Sequence, residues 1–328
     1  MIPRLAALVL ASLLLGGCDD GAASGRLPPV EPASFTFVVL PDTQFYTQSF
    51  PRIFQAQTRW IVAQKEARRI VGVMHVGDIT NDDSDAQWMN AKSAMTTLDG
   101  QIPYLLVPGN HDLADGTAVD RSSRMDLYFP YAEVSSQPTF EGSFAPGDVA
   151  NTFHRFPTPA GDFLVVGLEF GPRPEVVAWA RSVLDANPGV PSIVVTHAHT
   201  YDDDTLYDHV GRPYQAWSPY HYGVATSTGV TDGLELWNGL LRDHGYVRFV
   251  FSGHVLDDGV GRVSSIASDG HYVHQLLGNY QTLPEGGGGY LRLVEVREDL
   301  SSATVRTFSP WYGEVRTVDP DDNFVLTL

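Results

Sequence analysis

Side chains that can bind metal ions or transfer protons recur along the chain immediately after short apolar runs. The five groups are Asp42-Thr43-Gln44, Gly77-Asp78, Gly109-Asn110-His111-Asp112, Thr196-His197 and Gly253-His254. Their oxygen and imidazole donors suit Mn, Fe, Zn or Mg rather than copper or an iron–sulfur cluster. Two such ions, held about 3.5–4 Å apart by a bridging carboxylate, activate water and polarise a phosphoryl group. These residue types therefore indicate a hydrolytic site with two metal ions.

The apolar runs before these groups are typical of buried strands. Residues 35–40, 70–76 and 104–107 are short and rich in β-branched and aromatic side chains, and each is followed by turn-forming residues. Helix-like spacing of apolar residues covers 51–69 and 85–98 between them. Strands that alternate with helices of this length predict βαβ units and a largely parallel sheet. Loops at the carboxyl ends of parallel strands converge at one edge, where α/β proteins bind their ligands.

The second half of the chain continues this alternation with more strand. A hairpin pair is predicted near 151–168, helices at 174–184 and 234–244, and further strands up to residue 308. Residues 199–231, here named the covering segment, are polar and aromatic and show no clear periodicity. Because a loop of more than thirty residues is rarely a passive connection, we expect this segment to cover the active site. No repeat or internal linker interrupts 35–328, which predicts one domain.

Composition excludes several classes of function. The chain has 328 residues, of which 43% are apolar and 18% charged, and this balance is typical of a globular protein. Its net charge of −18 repels phosphate backbones and anionic lipid, so we expect no binding to nucleic-acid duplexes. Cys18 is the single cysteine, which excludes an intramolecular disulfide and a cysteine-based zinc site.

The N-terminus resembles a bacterial secretion signal. Residues 5–15 are an apolar run of secretory length, too short to span a membrane comfortably. Leu15-Gly16-Gly17-Cys18 is similar to a lipobox, although an ordinary signal peptide with an incidental cysteine is the alternative. We predict a lipoprotein signal peptide at 1–17, a flexible tether at 18–34 and a folded domain at 35–328. Acylation of Cys18 would anchor the protein to the cell envelope, on the outer side of the cytoplasmic membrane (the periplasmic side in a Gram-negative cell).

The ordered motifs resemble the calcineurin-like metallophosphoesterase superfamily, in particular a bacterial branch with an LPDTQ opening. The similar stretches are Leu40–Gln44, Gly109–Asp112, Leu168–Arg173, Gly253–Leu256 and Val273–Leu277. The resemblance extends over essentially the whole predicted domain. It implies an α/β fold, specifically a four-layer αββα sandwich.

The resemblance also implies a centre of two metal ions, either Mn, Fe or Zn. Its six protein ligands would be Asp42, Gln44, Asp78, Asn110, His197 and His254. Asp78 would bridge the ions, Asp42 and Gln44 would serve the first, and the remaining three would complete the shell of the second. His111 would protonate the leaving group or stabilise the transition state, and Asp112 would orient its imidazole.

Two positions depart from the superfamily pattern, and both affect the first metal ion. Gln44 stands where many members have a histidine, and Leu256 stands where a GHxH motif has its last histidine. Possible substitutes are His199, Asp257, Asp258 and His274.

Each candidate also fits an ordinary structural role. The aspartates could cap helices, the Asn-His-Asp group could form a turn, and a single histidine could be a satisfied core residue. His75 is interpreted as packing. Arg173 could bind a substrate phosphate or form an ion pair at the start of the next helix. Aromatic residues of the covering segment could line a pocket for a ring-bearing substrate; these are Tyr201, Tyr207, Trp217 and Tyr220.

The predicted function is metal-dependent hydrolysis of a phosphomonoester or phosphodiester at the cell envelope. One alternative is an envelope lipoprotein with a single metal ion that binds a ligand without catalysis, which Leu256 favours and His111 opposes. Another is a scaffold without turnover. Absence of turnover on any phosphoester by the fully metal-loaded protein would favour the scaffold.

Overall fold

The computed structural model describes residues 25–328, so the predicted signal peptide and Cys18 lie outside the described residues. The strands in this part of the chain are β1 (Ser34–Leu40), β2 (Ile70–His75), β3 (Tyr104–Leu106), β4 (Phe140–Ser143), β5 (Thr152–Phe156), β6 (Phe163–Gly167), β7 (Ser192–Val195), β8 (Val247–Ser252), β9 (Val260–Ile266), β10 (Tyr272–Gly278), β11 (Leu291–Arg297), β12 (Ser302–Ser309), β13 (Glu314–Val315) and β14 (Asn323–Thr327). The α-helices are α1 (Gln44–Ser49), α2 (Pro51–Gln64), α3 (Asp85–Met95), α4 (Met125–Tyr128), α5 (Tyr131–Val134), α6 (Pro174–Asp185), α7 (Gly223–Ser227), α8 (Gly233–Gly239) and α9 (Pro284–Gly287). Among the described residues, no helix has the length and apolar character needed to cross a bilayer.

The strands form two seven-stranded sheets. The first has the order β13-β12-β11-β1-β2-β3, with β14 also paired to β12, and the second has the order β4-β5-β6-β7-β8-β10-β9. Within the first sheet β1, β2 and β3 are parallel, whereas β11 pairs with β1 antiparallel. Within the second, β6, β7, β8 and β10 are parallel. The predicted largely parallel sheet is therefore two mixed sheets, each with a parallel centre.

Side chains of β1 are buried on both faces of the first sheet. Phe35 and Phe37 pack between the two sheets against Phe163, whereas Val38 and Leu40 pack on the opposite face in the core that includes residues of α2 and α3. On the outer face of the second sheet, α6 and α8 contribute to a separate core. The order of layers is thus helix, sheet, sheet, helix, and the four-layer αββα architecture is confirmed.

Local sequence explains where the helices that flank the sheets begin. Proline occupies the first position of α2 and of α6, where a backbone N–H would have no partner within the helix. A capping box starts α8, because Asp232 accepts from the backbone of Glu235 and the Glu235 carboxylate accepts from the backbone of Asp232. Such a cap stabilises a helix by about 1 kcal/mol.

Part of the predicted tether lies against the domain. The backbone N–H of Val315 donates to Gly25 O, and the Arg68 guanidinium donates to Pro28 O. Leu27 packs against the first core. From Gly25 onward the chain therefore contacts the folded domain.

Candidate metal centre

The five polar groups meet at one edge of the sandwich. Those after β1, β2 and β3 come from the first sheet, and those after β7 and β8 come from the second. The parallel centres of both sheets place the carboxyl ends of these strands side by side. Three side chains bring ligand atoms within 4.8 Å of one another: Asp78, His197 and His254.

Backbone carbonyls fix which ring nitrogens face one another in this cluster. Nδ1 of His197 lies 2.8 Å from Val76 O, and Nε2 of His254 lies 2.7 Å from Trp217 O. A carbonyl oxygen can only accept, so these two nitrogens carry protons, and in the neutral ring the other nitrogen offers a lone pair. Those other nitrogens are 3.2 Å apart, and His197 Nε2 is also 3.2 Å from Asp78 Oδ1. Three electron-pair donors thus converge on a point that favours a cation.

The protonation equilibria of the cluster in the absence of an ion follow from its burial and its charges. Burial acts to lower the pKa of His197, but the charge of Asp78 and their hydrogen bond raise it to about 9. For Asp78, burial acts to raise the pKa, and the nearby histidines outweigh it and hold the pKa well below its usual value. Burial and the charge of His197 lower the pKa of His254 to about 3. Without an ion, His197 is therefore protonated on Nε2 as well, facing Asp78, and a cation that binds this nitrogen must displace that proton.

Two buried amide oxygens beside the cluster have no hydrogen-bond partner in the described part of the chain. They are Asn110 Oδ1 and Gln44 Oε1. The Gln44 amide nitrogen donates to Asn81 Oδ1 at 3.4 Å, which assigns the oxygen to the opposite side. A buried polar atom without a partner is rare and costs about 1–3 kcal/mol. Both oxygens belong to predicted metal ligands, and an ion at each would satisfy them.

Asp42 joins the cluster through the backbone of a neighbouring ligand. Both of its carboxylate oxygens accept from the N–H of His254, at 3.3 and 3.1 Å. Burial raises the pKa of Asp42 well above its usual value, because it is almost fully enclosed beside another carboxylate. Bound cations would stabilise the charged form here.

Glycines permit the close approach of these groups. A Cβ at Gly109 would lie 2.1 Å from Asp78 Oδ1, and a Cβ at Gly253 would lie 2.1 Å from Asp42 Oδ1. Asp78 and His254 themselves have left-handed backbones, with φ of 49° and 75°. Such conformations cost about 1–3 kcal/mol each and tend to occur at functional sites.

His111 lies at the edge of the cluster and is half-buried. Its backbone N–H donates to Asp78 Oδ1 at 2.9 Å, and its Nδ1 lies 2.8 Å from Asn81 O. The carbonyl fixes the proton on Nδ1, so Nε2 is the atom available to a bound substrate. Asn81 follows Asp78 by three residues, and sequence reasoning missed this support for His111.

The expected contact between Asp112 and the His111 imidazole was wrong. The Asp112 carboxylate instead accepts from the backbone N–H groups of Ile79, Thr80 and Gly109 and from the Thr80 hydroxyl. The three bonds from Ile79 and Thr80 join the loop after β2 to the loop after β3, and the bond from Gly109 lies within the latter. Burial and the charge of Asp78 nevertheless raise the pKa of Asp112 to about 7. Asp112 thus shapes the loops around the centre.

Arg173 is engaged in an ion pair away from the cluster. Its Nε and Nη2 lie 2.7 and 3.2 Å from the two Glu169 carboxylate oxygens, and it precedes the first turn of α6. Glu169 also lies 3.5 Å from Arg121 Nη1. Of the two interpretations from sequence, the ion pair is the one observed, and the guanidinium has no contact with the cluster among the described hydrogen bonds.

The proposed substitutes for the missing histidine lie outside the cluster of Asp78, His197 and His254, although His199 Nδ1 is buried without a hydrogen-bond partner among the residues that the structure describes. His199 Nε2 lies 2.8 Å from Gln275 Oε1, and His274 bonds Ser264 and Thr327. Asp257 and Asp258 are exposed. His75 is buried and joins two site loops, since its Nδ1 accepts from Gly77 N–H and its Nε2 lies 3.0 Å from the Thr43 hydroxyl.

A family model confirms what the motifs indicated. The model for calcineurin-like phosphoesterases matches residues 35–258, which is more than half of the chain. The chain belongs to the calcineurin-like phosphoesterase family. Membership of this family, together with the ligand cluster, supports a metal-dependent phosphoesterase.

Two similar proteins have low sequence identity with the chain. An uncharacterized protein of Bacillus subtilis (strain 168), YvnB, is 28% identical over 320 residues, covering 92% of this chain and 22% of that protein. The chain therefore spans about a fifth of the length of this relative. Among solved structures, GAP50, the anchor in the inner membrane complex of Plasmodium, matches with a TM-score of 0.46 and 13% identity, covering 90% of this chain and 89% of that one.

Proposed function

We propose that the protein is a hydrolase of phosphoesters with two metal ions, tethered to the cell envelope by lipid on Cys18. The observation that carries the catalytic part is the convergence of Asp78 Oδ1, His197 Nε2 and His254 Nδ1, with two unpartnered amide oxygens beside them. At most one hydrogen bond can use the single Nε2 proton of His197, so His254 Nδ1 and Asp78 cannot both be satisfied within the cluster, and cations would satisfy them together with the two amide oxygens.

The donors divide into two unequal groups around Asp78. Asp78, Asn110, His197 and His254 would hold one ion with two imidazoles, an amide oxygen and a carboxylate. Asp42, Gln44 and the shared Asp78 would hold the second. A neutral amide oxygen is a weaker donor than imidazole, so the second ion would be bound less tightly and a hard, labile ion such as Mn²⁺ would suit it.

Such ions supply Lewis acidity, which activates a water molecule and polarises the phosphoryl oxygens. The chain's own residues orient the substrate and supply a proton. His111 Nε2, held in place through Nδ1 by Asn81, donates to the leaving-group oxygen when the ring is protonated. The Asp112 bonds keep the loops that carry Asp78 and His111 in register. No covalent phospho-enzyme is required.

The lipid tether rests on the sequence around Cys18 and on the acyl anchoring that such a motif specifies. It would place the hydrolase on the outer side of the cytoplasmic membrane. The phosphoester substrate would then be extracytoplasmic, and a nucleic-acid duplex is an unsuitable one because the net charge of −18 repels it.

Hydrolysis of p-nitrophenyl phosphate and of bis(p-nitrophenyl) phosphate by the full chain in detergent, with Mn²⁺, Fe²⁺ or Zn²⁺ added, tests the catalytic proposal. We expect activity that His254→Ala abolishes. The matched control is His244→Ala, because that imidazole bonds Leu240 O and Asp185 outside the cluster. A folded wild type that binds one ion and hydrolyses neither ester would instead support the ligand-binding alternative.

A further inference from the structure

The covering segment contacts a ligand of the metal centre through a backbone carbonyl group. Trp217 O lies 2.7 Å from Nε2 of His254 and is the group that leaves Nδ1 free to bind an ion. Trp217 has a left-handed backbone, with φ of 55°, which a tryptophan adopts only when its surroundings impose it. Other residues of the covering segment must therefore hold the Trp217 backbone in this conformation.

Two buried tyrosines hold the residue next to Trp217. The Tyr207 hydroxyl donates to Ala216 O at 2.9 Å, and the Ala216 N–H donates to the Tyr201 hydroxyl at 3.1 Å. The backbone N–H and C=O of Ala216 are thus both hydrogen-bonded to tyrosine hydroxyls. The tyrosine rings pack edge to face at 5.1 Å, and the Tyr207 ring lies 6.1 Å from that of His254.

The tyrosines are themselves fixed to the strand-end loops. The Tyr207 N–H donates to His199 O, two residues after the ligand His197, and the Tyr207 carbonyl accepts from Leu234 N–H near the start of α8. Tyr207 is fully buried and Tyr201 is 8% exposed. The sequence expectation that these two rings line a substrate pocket was therefore wrong.

We propose that Tyr201 and Tyr207 are positioning residues of the metal centre, because they hold the Trp217 carbonyl that orients His254 for metal binding. This inference rests on the proposed function, since it concerns the same centre. Groups that orient a metal-binding histidine through its other nitrogen contribute about 10–100-fold to metal affinity. The covering segment is then part of the metal site as well as its cover.

The test is Mn²⁺ binding to the metal-free full chain, measured by isothermal titration calorimetry on wild type, Tyr207→Phe and Tyr201→Phe. Each substitution removes only a hydroxyl. We expect Tyr207→Phe to raise the Kd of the tighter ion by about tenfold. Saturating Mn²⁺ should restore most of kcat, because the ligands themselves are unchanged.

The matched control is Tyr220→Phe, in the same segment. The Tyr220 hydroxyl bonds the Glu235 carboxylate rather than the peptide beside Trp217, so its loss should leave the Kd unchanged. The d–d absorption of the Co²⁺-loaded protein gives a second readout, and we expect it to shift in Tyr207→Phe and not in Tyr220→Phe.

Thermal unfolding separates this role from simple stabilisation. A Tyr207→Phe protein with a lower melting temperature but wild-type Mn²⁺ affinity and Co²⁺ spectrum would overturn the inference. If Tyr207→Phe fails to fold, the same criteria apply to Tyr201→Phe. A wild-type protein that binds no ion at all would refute the proposed function. A wild-type protein that binds Mn²⁺ tightly, with an affinity that the tyrosine substitutions do not change, would refute only this inference.

Discussion

Gly253→Ala perturbs the metal centre without replacing any of the proposed ligands. The added methyl would lie 2.1 Å from Asp42 Oδ1 and 2.8 Å from Val76 Cγ2, so the carboxylate must retreat by roughly 1 Å. Asp42 also accepts the His254 N–H with both oxygens, and its retreat would disturb that contact. Because reacting groups displaced by about 1 Å lose about 10²-fold in rate, we expect kcat/KM to fall by about 10²-fold.

The assay is steady-state hydrolysis of a p-nitrophenyl ester at several Mn²⁺ concentrations, with circular dichroism to establish folding. Gly239→Ala is the matched control, since a methyl there meets nothing within 4 Å. We expect the control to retain wild-type kcat/KM. If folded Gly253→Ala retains both wild-type activity and metal content, Asp42 does not belong to the site and the assignment of the second ion fails.

Three further predictions address the other assigned residues. His111→Ala should keep its metal content but lose about 10²–10⁴-fold in kcat, and unchanged turnover would remove His111 from the mechanism. Cys18→Ser should abolish incorporation of labelled fatty acid and release the protein from membranes, and labelling equal to wild type would exclude the anchor. Arg173→Ala should lower the free energy of unfolding in urea by about 1–3 kcal/mol because Glu169 loses its fork-shaped partner, with KM unchanged; a raised KM at constant stability would restore its phosphate-binding role.

Much of the site was predictable because residue types that bind metal ions directly follow the apolar runs of the predicted strands. Each polar group follows an apolar run, and parallel strands in α/β folds deliver such groups to one edge. This pattern predicts from the sequence alone that Asp78, His197 and His254 lie at the same edge, as the structure shows. The central strands of both sheets were also predictable, because their runs of β-branched and aromatic residues are typical of buried strands.

Contacts made by the backbone were not predictable in the same way. Every residue carries a carbonyl, so nothing in the sequence distinguishes the one at Trp217 that orients His254. Asp112 adjoins His111 in sequence, yet its carboxylate turns towards three backbone N–H groups of the strand-end loops. Short edge strands such as β4 and β13 also escaped prediction, because they are partly exposed and their sequences lack an apolar run.

The most direct test of the two-metal account is the stoichiometry of Mn²⁺ binding measured together with the rate of phosphoester hydrolysis during one titration of the metal-free full chain. We predict two ions per chain, one bound tightly and one weakly, with activity rising as the weak site fills. Gln44→His should tighten that weaker site and shift the activity curve to lower Mn²⁺. Binding of a single ion with full activity, or of two equally tight ions with no further response to metal, would contradict the division of ligands around Asp78.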